Sequence, residues 1–429
     1  MHHEDQPASG PESAFSRRRF LESATLATGA ATFSTLGEHR ASAAEPGSRI
    51  SAAPSRQKIL GQPNTIKVIG TGLVYRNPDP QLRAVHTWHP SLAAFDSGEL
   101  VASFDLGQGA ESLDYATYTS RSRDFGATWD KPRRLLEEKS ARRSTHSIRI
   151  SRIGDELIGF GGRFYRDDSN KGLVNPDNLG YVPMDLFLMR SSDRGRTWQA
   201  PVTIRPPLVG PSFEICHRVI ELSDGRWLAP TSTWKAWDGS APSGMKAIAL
   251  VSKDRGQTWN EYLTIMDAYD KGVIHWENSI AELPDKRLLA VAWAFEPATG
   301  KTLPTPYSLC SDEKTFSRPR PTGLSGQTAK ILCLADGRVL CLYRRHDQPG
   351  LWACVAQIDG DNWKRLSHQV LWSGAISGME GQRAPGVELS ALKFGFPSMF
   401  QLSNGDVLAA FWCSEDCINN IRWIRLRIA

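Results

Sequence analysis

Apolar and polar positions follow a repeated pattern along residues 64–429, and the repeat predicts short strands joined by tight turns. A turn dipeptide such as Asp224-Gly225 is followed each time by a short apolar run. Asp-Gly or Asn-Gly between apolar runs is typical of a β-hairpin. Six copies of the pattern occur, at residues 97–102, 153–158, 224–229, 285–290, 336–341 and 404–409.

The spacing of these hairpins predicts six similar units of about 61 residues each. That length accommodates a four-stranded antiparallel sheet, as in one blade of a propeller. After the sixth hairpin only one more strand follows, at residues 421–428, so the sixth unit lacks an outer strand. Residues 65–69 are expected to supply it, which closes the ring and leaves no exposed sheet edge.

Three near-identical octapeptides form a second repeat, at residues 122–129, 191–198 and 252–259. Each contains Ser, Asp, Gly, Thr and Trp in the same order. The Asp and Ser/Thr side chains can cap a tight turn, Gly supplies a positive φ, and Trp fills the space beside the next unit. The motif resembles the Asp-box of sialidase-type β-propellers. The resemblance implies an all-β, six-bladed propeller with Asp-box repeats over residues 64–429, with eroded boxes near 311–312 and 359–363.

Residues 1–43 predict an export signal rather than part of the fold. Residues 16–21, Ser-Arg-Arg-Arg-Phe-Leu, match the twin-arginine motif, and Ala41-Ser42-Ala43 fits a cleavage site. The intervening stretch is too polar to anchor in a bilayer. We therefore expect a twin-arginine signal peptide, transport by that export machinery to the periplasm or the outside of the cell, no membrane span, and a flexible leader at residues 44–63. The alternative is a disordered basic tail.

The numbers of charged residues and cysteines limit the kinds of partner that the protein is expected to bind and the disulfides that it could form. The chain without residues 1–43 has 47 Lys and Arg against 41 Asp and Glu, a dispersed net charge of +6. No basic run suggests nucleic acid, although the excess could help to attract an anionic glycan. Seven cysteines include two pairs that could bridge, Cys333 with Cys341 and Cys413 with Cys417, but buried packing is the favoured role for most of them.

The candidate site lies at the end of the propeller opposite the Asp-Gly turns and the Asp-boxes. Inner strands begin and second strands end there, and the six blades converge on a funnel. Two long connections, residues 164–185 and 374–394, rise from this rim and are expected to act as binding loops or lids. Counting residues along the strands on either side of each turn places acidic, cationic and tryptophan side chains at this rim.

The sialidase resemblance gives some of these residues roles. Glu277 matches the family's glutamate in its distance from the turn, and an acid at the start of an inner strand could polarise a nucleophile or act itself. Asp105, Glu111 or Asp114 could be the acid/base, and we take Glu277, Asp105 and Asp114 as the catalytic candidates.

The sequence departs from the family where Trp88 and Trp293 replace two arginines of its carboxylate clamp and Phe396 replaces its tyrosine. Tyr343 could stand in for that tyrosine, and Arg383 could supply a further cation contact. The predicted substrate-binding residues are Trp88, Arg163, His217, Arg218, Trp293, Arg344 and Arg345.

Three functions remain open. The first is a hydrolase of a terminal, acidic sugar that needs no cofactor, with a glycan or glycoconjugate as substrate. The second is a non-catalytic glycan-binding or assembly propeller, because fold alone does not fix function. The third is a metal-assisted polysaccharide lyase, since His89, His146 and His217 occupy corresponding positions on three blades and imidazoles can hold Zn²⁺ or Mn²⁺.

Overall fold

The computed structural model describes residues 66–95, 97–137, 141–345, 347–373 and 392–429. These residues form six antiparallel sheets, and their helical content is one 3₁₀ turn at Tyr269–Lys271. Each sheet is one blade, which confirms the prediction of an all-β, six-bladed propeller. The predicted signal peptide, the leader and most of the 374–394 loop, with Arg383, lie outside the described residues.

The first three blades follow one another along the chain, each running from the inner to the outer strand. Blade 1 contains β2 (His86–Ala94), β3 (Leu100–Gly107), β4 (Ala116–Ser122) and β5 (Arg133–Arg134). Blade 2 contains β6 (Ser144–Ile153), β7 (Glu156–Tyr165), β8 (Met184–Ser191) and β9 (Val202–Ile204). Blade 3 contains β10 (Ser212–Glu214), β11 (Ile220–Glu221), β12 (Trp227–Trp234), β13 (Ala247–Ser252) and β14 (Glu261–Met266).

The last three blades repeat the arrangement. Blade 4 contains β15 (Ile274–Glu282), β16 (Leu288–Glu296), β17 (Lys301–Thr302), β18 (Pro306–Cys310) and β19 (Arg320–Pro321). Blade 5 contains β20 (Gln327–Cys333), β21 (Val339–Arg345), β22 (Gly350–Asp359) and β23 (Asn362–Trp372). Blade 6 contains β24 (Phe394–Gln401), β25 (Val407–Glu415), β26 (Ile418–Ile428) and, as its outer strand, β1 (Ile66–Arg76).

The ring is closed by the two ends of the described chain. Strand β1 pairs antiparallel with β26, with Ile66 opposite Ile428 and Arg76 opposite Asn420. This confirms the predicted closure, although the strand extends beyond residue 69. Since β1 covers the edge of β26, the blade gains a fourth strand without using the edge of another molecule.

The three Asp-boxes are turns held by their own side chains. In the first, Ser122 Oγ accepts a hydrogen bond from the Gly126 amide at 2.8 Å, and Asp124 Oδ1 accepts one from the Thr128 amide at 2.9 Å. Hydrogen bonds from Thr128 and Ser122 lower the pKa of Asp124 to about 2. Equivalent bonds recur at Asp193 and Asp254. The boxes therefore have the structural role that their composition predicts.

Strand register places these boxes and the candidate site at opposite ends of the blades. In blade 1, Leu100 lies opposite Ser122 at the end that carries the turn and the Asp-box. Trp88 lies opposite Asp105 at the other end.

The core fills the spaces between blades. Ile148 and Ile150 of β6, for example, are fully buried and belong to one cluster with Val101 of β3 and Met189 of β8. Burying such side chains contributes roughly 1.5–3 kcal/mol each, so the blades form a firm scaffold for the residues at the rim. All seven cysteines are free, so neither possible disulfide is formed. Within the described part of the chain, no helix has the length and apolar character that a membrane crossing requires.

Candidate functional site

A cavity of about 550 Å³ lies at the end of the propeller where the inner strands begin. This volume is within the roughly 300–1,000 Å³ typical of small-molecule sites. All six blades contribute to its lining. The residues used below are Trp88, His89, Glu111, Tyr115, Arg149, Leu173, Val174, Glu214, Trp276, Glu277, Trp293, Thr328, Arg344, Phe396 and Trp412.

Four of the lining residues occupy equivalent, strained positions on different blades. His89, Glu277, Thr328 and Phe396 have φ values of 51°, 46°, 54° and 50°. Each lies where the ladder between the first two strands of its blade shifts register. Non-glycine residues in this left-handed region cost about 1–3 kcal/mol and cluster at functional sites. The repeated bulge brings these four residues together at the cavity.

Two carboxyl groups, those of Glu214 and Glu277, line the cavity, and among the described residues neither forms an ion pair. Glu214, only 6% exposed, ends β10, and its Oε2 accepts a hydrogen bond from the Glu277 amide at 3.3 Å. Burial, together with the charge of Glu277, raises the pKa of Glu214 to about 8. Burial also raises the pKa of Glu277, while Lys330 and Arg344 act to lower it. The pair therefore retains a proton at neutral pH, and the nearby cations favour Glu277 as the ionised member.

Arg344 lines the same cavity and retains an unused donor among the described residues. Its Nε donates to Gln327 Oε1 at 3.0 Å and one Nη donates to the Phe394 carbonyl at 3.1 Å. The other amino nitrogen, Nη2, is buried and has no hydrogen-bond partner among the described residues, and the same is true of Glu277 Oε2. A guanidinium held in this way can bind a carboxylate or hydroxyl group of a ligand.

Asp105 lies beside the cavity, with no exposed surface of its own. Its carboxylate contacts five side chains: His89, Tyr115, Thr117, Ser147 and Arg149. Burial alone would raise the pKa of Asp105, but the charge of Arg149 at 3.2 Å and these hydrogen bonds hold it below its ordinary value. Asp105 is thus an ionised anchor that orients Arg149 and His89 rather than a group with a proton to give.

The same surroundings keep His89 neutral. Burial and the charge of Arg149 lower its pKa to about 4. His89 Nδ1 lies 3.2 Å from Asp105 and 3.3 Å from the hydroxyl oxygen of Tyr115. A neutral imidazole at the cavity surface can exchange hydrogen bonds with a ligand without adding charge.

Aromatic rings form much of the cavity wall. Trp88 and Trp412 are stacked, with ring centroids 5.4 Å apart, and Trp276 and Trp293 lie 4.3 Å apart. The indole nitrogens of Trp88 and Trp276 are buried without partners among the described residues. Such rings can stack on the apolar face of a sugar while their indole N–H groups donate hydrogen bonds to its hydroxyl oxygens.

The long connection of blade 2, residues 164–185, covers one side of the cavity. Glu111 fixes it to blade 1, because its carboxylate accepts hydrogen bonds from the amides of Leu173 at 2.8 Å and Val174 at 3.4 Å. On the other side, Trp234 Nε1 donates to the Leu179 carbonyl at 2.6 Å. The connection therefore forms a tethered wall between blades 1 and 3.

The structure brings only part of the predicted site together. Glu277, Trp88, Trp293 and Arg344 line the cavity together with His89, and Asp105 lies directly beside it. Glu111, the other acid/base candidate, also lines it. Among the described residues, those predicted for the site that do not line the cavity include Asp114, Arg163, His217, Arg218 and Arg345.

Arg163 faces Asp185 at 3.9 Å, and Arg345 is bonded to Asp347 at 2.7 Å. Asp114 accepts a hydrogen bond from the Gln108 amide at 3.1 Å in an exposed turn.

His217 and Arg218 lie deeper, around a small axial cavity of about 20 Å³. The three histidines of the metal hypothesis have separate surroundings. His89 is bound to Asp105, His146 packs on Phe187, and His217 Nδ1 donates to the Arg218 carbonyl at 2.8 Å. Among the described residues, no group of three His, Cys, Asp or Glu side chains is arranged to hold a metal ion.

Glu214, Arg149 and Lys330 were not predicted. Glu214 was missed because the inner strand of blade 3 is interrupted between β10 and β11, so counting back from Gly225 reached His217 instead. The sequence did contain a signal for Glu214, because it precedes Glu277 by 63 residues, which is close to the length of one repeat.

Comparisons with known proteins agree with this architecture. Residues 173–408, more than half of the chain, match the family described as BNR repeat-like domain. Among curated proteins, none matches the sequence significantly. A solved structure of a protein of unknown function from Dyadobacter fermentans is similar, with a TM-score of 0.65, 20% identity, and coverage of 85% of this chain and 100% of that one.

Two solved enzymes show the same fold. A mutant of the NanB sialidase from Streptococcus pneumoniae has a TM-score of 0.58 and 14% identity, covering 83% of this chain and 70% of that one. The intramolecular trans-sialidase from Ruminococcus gnavus has a TM-score of 0.57 and 14% identity, covering 84% and 98%. These likenesses confirm the sialidase-like propeller, and by its family match the chain belongs to the BNR repeat-like domain family.

Proposed function

We propose that this protein is a glycoside hydrolase that removes a terminal, acidic sugar from a glycan, with Glu214 and Glu277 as its catalytic pair. The buried carboxyl pair in an aromatic cavity is the observation that carries the proposal. Hydrolysis of a glycoside requires one carboxyl group that donates a proton and one carboxylate that faces the anomeric carbon. From residues 1–43 of the sequence, we further propose export by the twin-arginine pathway.

The two carboxyl groups divide the work according to their surroundings. Glu214, whose pKa is raised to about 8, holds the proton and donates it to the glycosidic oxygen as the bond to the anomeric carbon breaks. Glu277, beside Lys330 and Arg344, carries the negative charge that stabilises the positive charge developing on the sugar. Water then adds to the anomeric carbon and returns its proton to Glu214.

The cations around the carboxyl pair favour the binding of a sugar that carries a negative charge. Arg344 has one buried nitrogen without a partner, and the Lys330 ammonium donates to the Glu277 carbonyl at 3.1 Å. An uncharged sugar would leave the Arg344 donor poorly satisfied, which costs binding free energy. A carboxylate would pair with it, while Trp88, the more exposed ring of the stacked pair with Trp412, packs against the sugar.

A panel of fluorogenic glycosides tests this function. The purified protein is offered a sialoside, a glucuronide, a galacturonide, a fucoside, a rhamnoside and a glucoside, and product release is followed by fluorescence. We expect turnover of at least one acidic glycoside and less turnover of the neutral ones. If the protein binds acidic sugars in calorimetry but hydrolyses none, it is a glycan-binding propeller instead.

The pH profile should identify the proton donor. Because Glu214 must be protonated and its pKa is raised to about 8, kcat is expected to fall as pH rises through about 8. At the acidic end, protonation of Glu277 should lower kcat again. Steady-state rates between pH 4 and pH 10 measure both limbs, and a kcat that stays constant to pH 10 would contradict the assignment of Glu214.

A further inference from the structure

A second concave surface lies between the outer strands of blades 1 and 2, apart from the cavity. It has a volume of about 740 Å³, and none of its lining residues also lines the cavity. We call it the basic groove, because six of its lining side chains are cationic. They are Arg121, Arg123, Lys131, Arg133, Arg134 and Arg196.

Most of these cations form no ion pair within the part of the chain that the structure describes, although Asp130 and Glu137 also line the groove. Arg121 pairs with Glu99 at 2.7 Å, and Arg123 pairs with Asp130 at 3.1 Å. The other four cations of the groove have no acidic group within 4.0 Å among the described residues. Since Lys131, Arg133 and Arg196 are also exposed, the groove presents a local excess of accessible positive charge.

The floor of the groove is fixed by contacts between the two blades. Arg121 of blade 1 donates to the Arg194 carbonyl in the Asp-box of blade 2, and Arg194 in turn pairs with Glu99 at 3.1 Å. Trp198 of the same box lines the groove while packing against the core between the blades, and its indole nitrogen is buried without a hydrogen-bond partner among the described residues. A ligand would therefore meet a preformed surface, which lowers the entropic cost of binding.

The next pair of blades offers an internal comparison. A groove at the same place between blades 2 and 3 is lined by residues 202–205 and by residues 256–260 of and beside the third Asp-box. Its volume is about 200 Å³, and among the described residues that line it only Arg205 is cationic. The propeller repeat alone does not produce a large cationic groove, so the charge of the first groove is a property of its own side chains.

We propose that the basic groove binds one chain of an anionic polysaccharide, whose carboxylate or sulfate groups pair with Arg133, Arg134, Lys131 and Arg196. The inference rests on the proposed function in one respect, namely that such a polymer carries the terminal sugar that enters the cavity. Single-stranded nucleic acid is less well matched, because its sites combine charge with several stacking aromatic rings. Of the described residues that line this groove, Trp198 alone is aromatic.

Native affinity electrophoresis tests the groove without requiring turnover. The full chain is run in gels that contain polygalacturonate, with neutral dextran and poly(dT) gels alongside. We expect polygalacturonate to retard the wild-type protein most. Replacing Arg133 and Arg134 together by Ala should weaken the apparent affinity about tenfold. The slope of log Kd against the logarithm of the salt concentration should fall by about two, because two charge contacts are lost.

The matched control is Arg205→Ala, which removes the cation of the groove between blades 2 and 3 and should leave retardation unchanged. Retardation requires no turnover, so a failure of the proposed catalysis in the glycoside panel is distinguishable from a failure of the groove. The proposal is overturned if the wild type migrates alike in polygalacturonate and dextran. Equal losses in the Arg205 variant, or equal retardation by poly(dT), would overturn it as well.

Discussion

Replacing Glu277 by Gln is expected to lower kcat by about a thousandfold or more, and Glu214→Gln should have an effect of similar size. Acid/base groups contribute roughly 10²–10⁴-fold to a rate, and Gln can neither donate the proton of Glu214 nor carry the charge of Glu277. The effect should fall on kcat more than on KM, because both groups act on the bond that breaks. Steady-state kinetics with the acidic glycoside found in the panel measure it.

Folding and catalysis can be separated in this experiment. Because burial raises the pKa of Glu214, ionising it costs stability as pH rises through about 8, and a neutral Gln avoids that cost. Glu214→Gln should thus be folded and at least as stable as the wild type at pH 8. Glu282→Gln is the matched control, since Glu282 lies at the other end of β15 and bonds to Ser223. If Glu277→Gln keeps the wild-type kcat, as the control Glu282→Gln should, the carboxyl pair is not catalytic.

Asp105→Asn is expected to destabilise the protein by about 3–5 kcal/mol, the usual cost of removing one partner of a buried ion pair. Arg149 would lose its anionic partner at 3.2 Å. Because both side chains are almost completely buried, water could not replace that partner. The folded pKa of Asp105 is depressed, so its contribution is present above the unfolded pKa of about 3.9. It is lost only as pH falls through the folded value, and the full effect should therefore appear at pH 7.

Urea unfolding followed by tryptophan fluorescence measures this change. The control is Asp130→Asn, which breaks the exposed pair with Arg123 and should cost less than about 1 kcal/mol. Equal losses from the two variants would show that Asp105 is not the electrostatic anchor of the rim. A catalytic role for Asp105 would instead appear as a lower kcat in a variant of unchanged stability.

Much of the architecture follows from the sequence alone, because it depends on local turn chemistry. An Asp-Gly turn between apolar runs is a strong local signal for a hairpin, and Ser122, Asp124 and Thr128 cap their turn through contacts no more than four residues apart. Repetition of these short-range signals determined the number of blades, the position of the Asp-boxes and the end at which the cavity lies. The unpaired edge of β26 likewise indicated that β1 must close the ring.

The composition of the site was decided by the tertiary structure. Counting residues from a turn assumes regular strands, and it failed at Glu214, where an interrupted strand places an acid three residues earlier than the expected position at His217. The count also could not show that Asp105 would meet Arg149, 44 residues further along the chain, and become an ion-paired anchor. Sequence spacing located Glu277, Trp88, Trp293 and Arg344 at the rim, whereas burial and the charges of neighbouring blades determine which carboxyl group holds a proton.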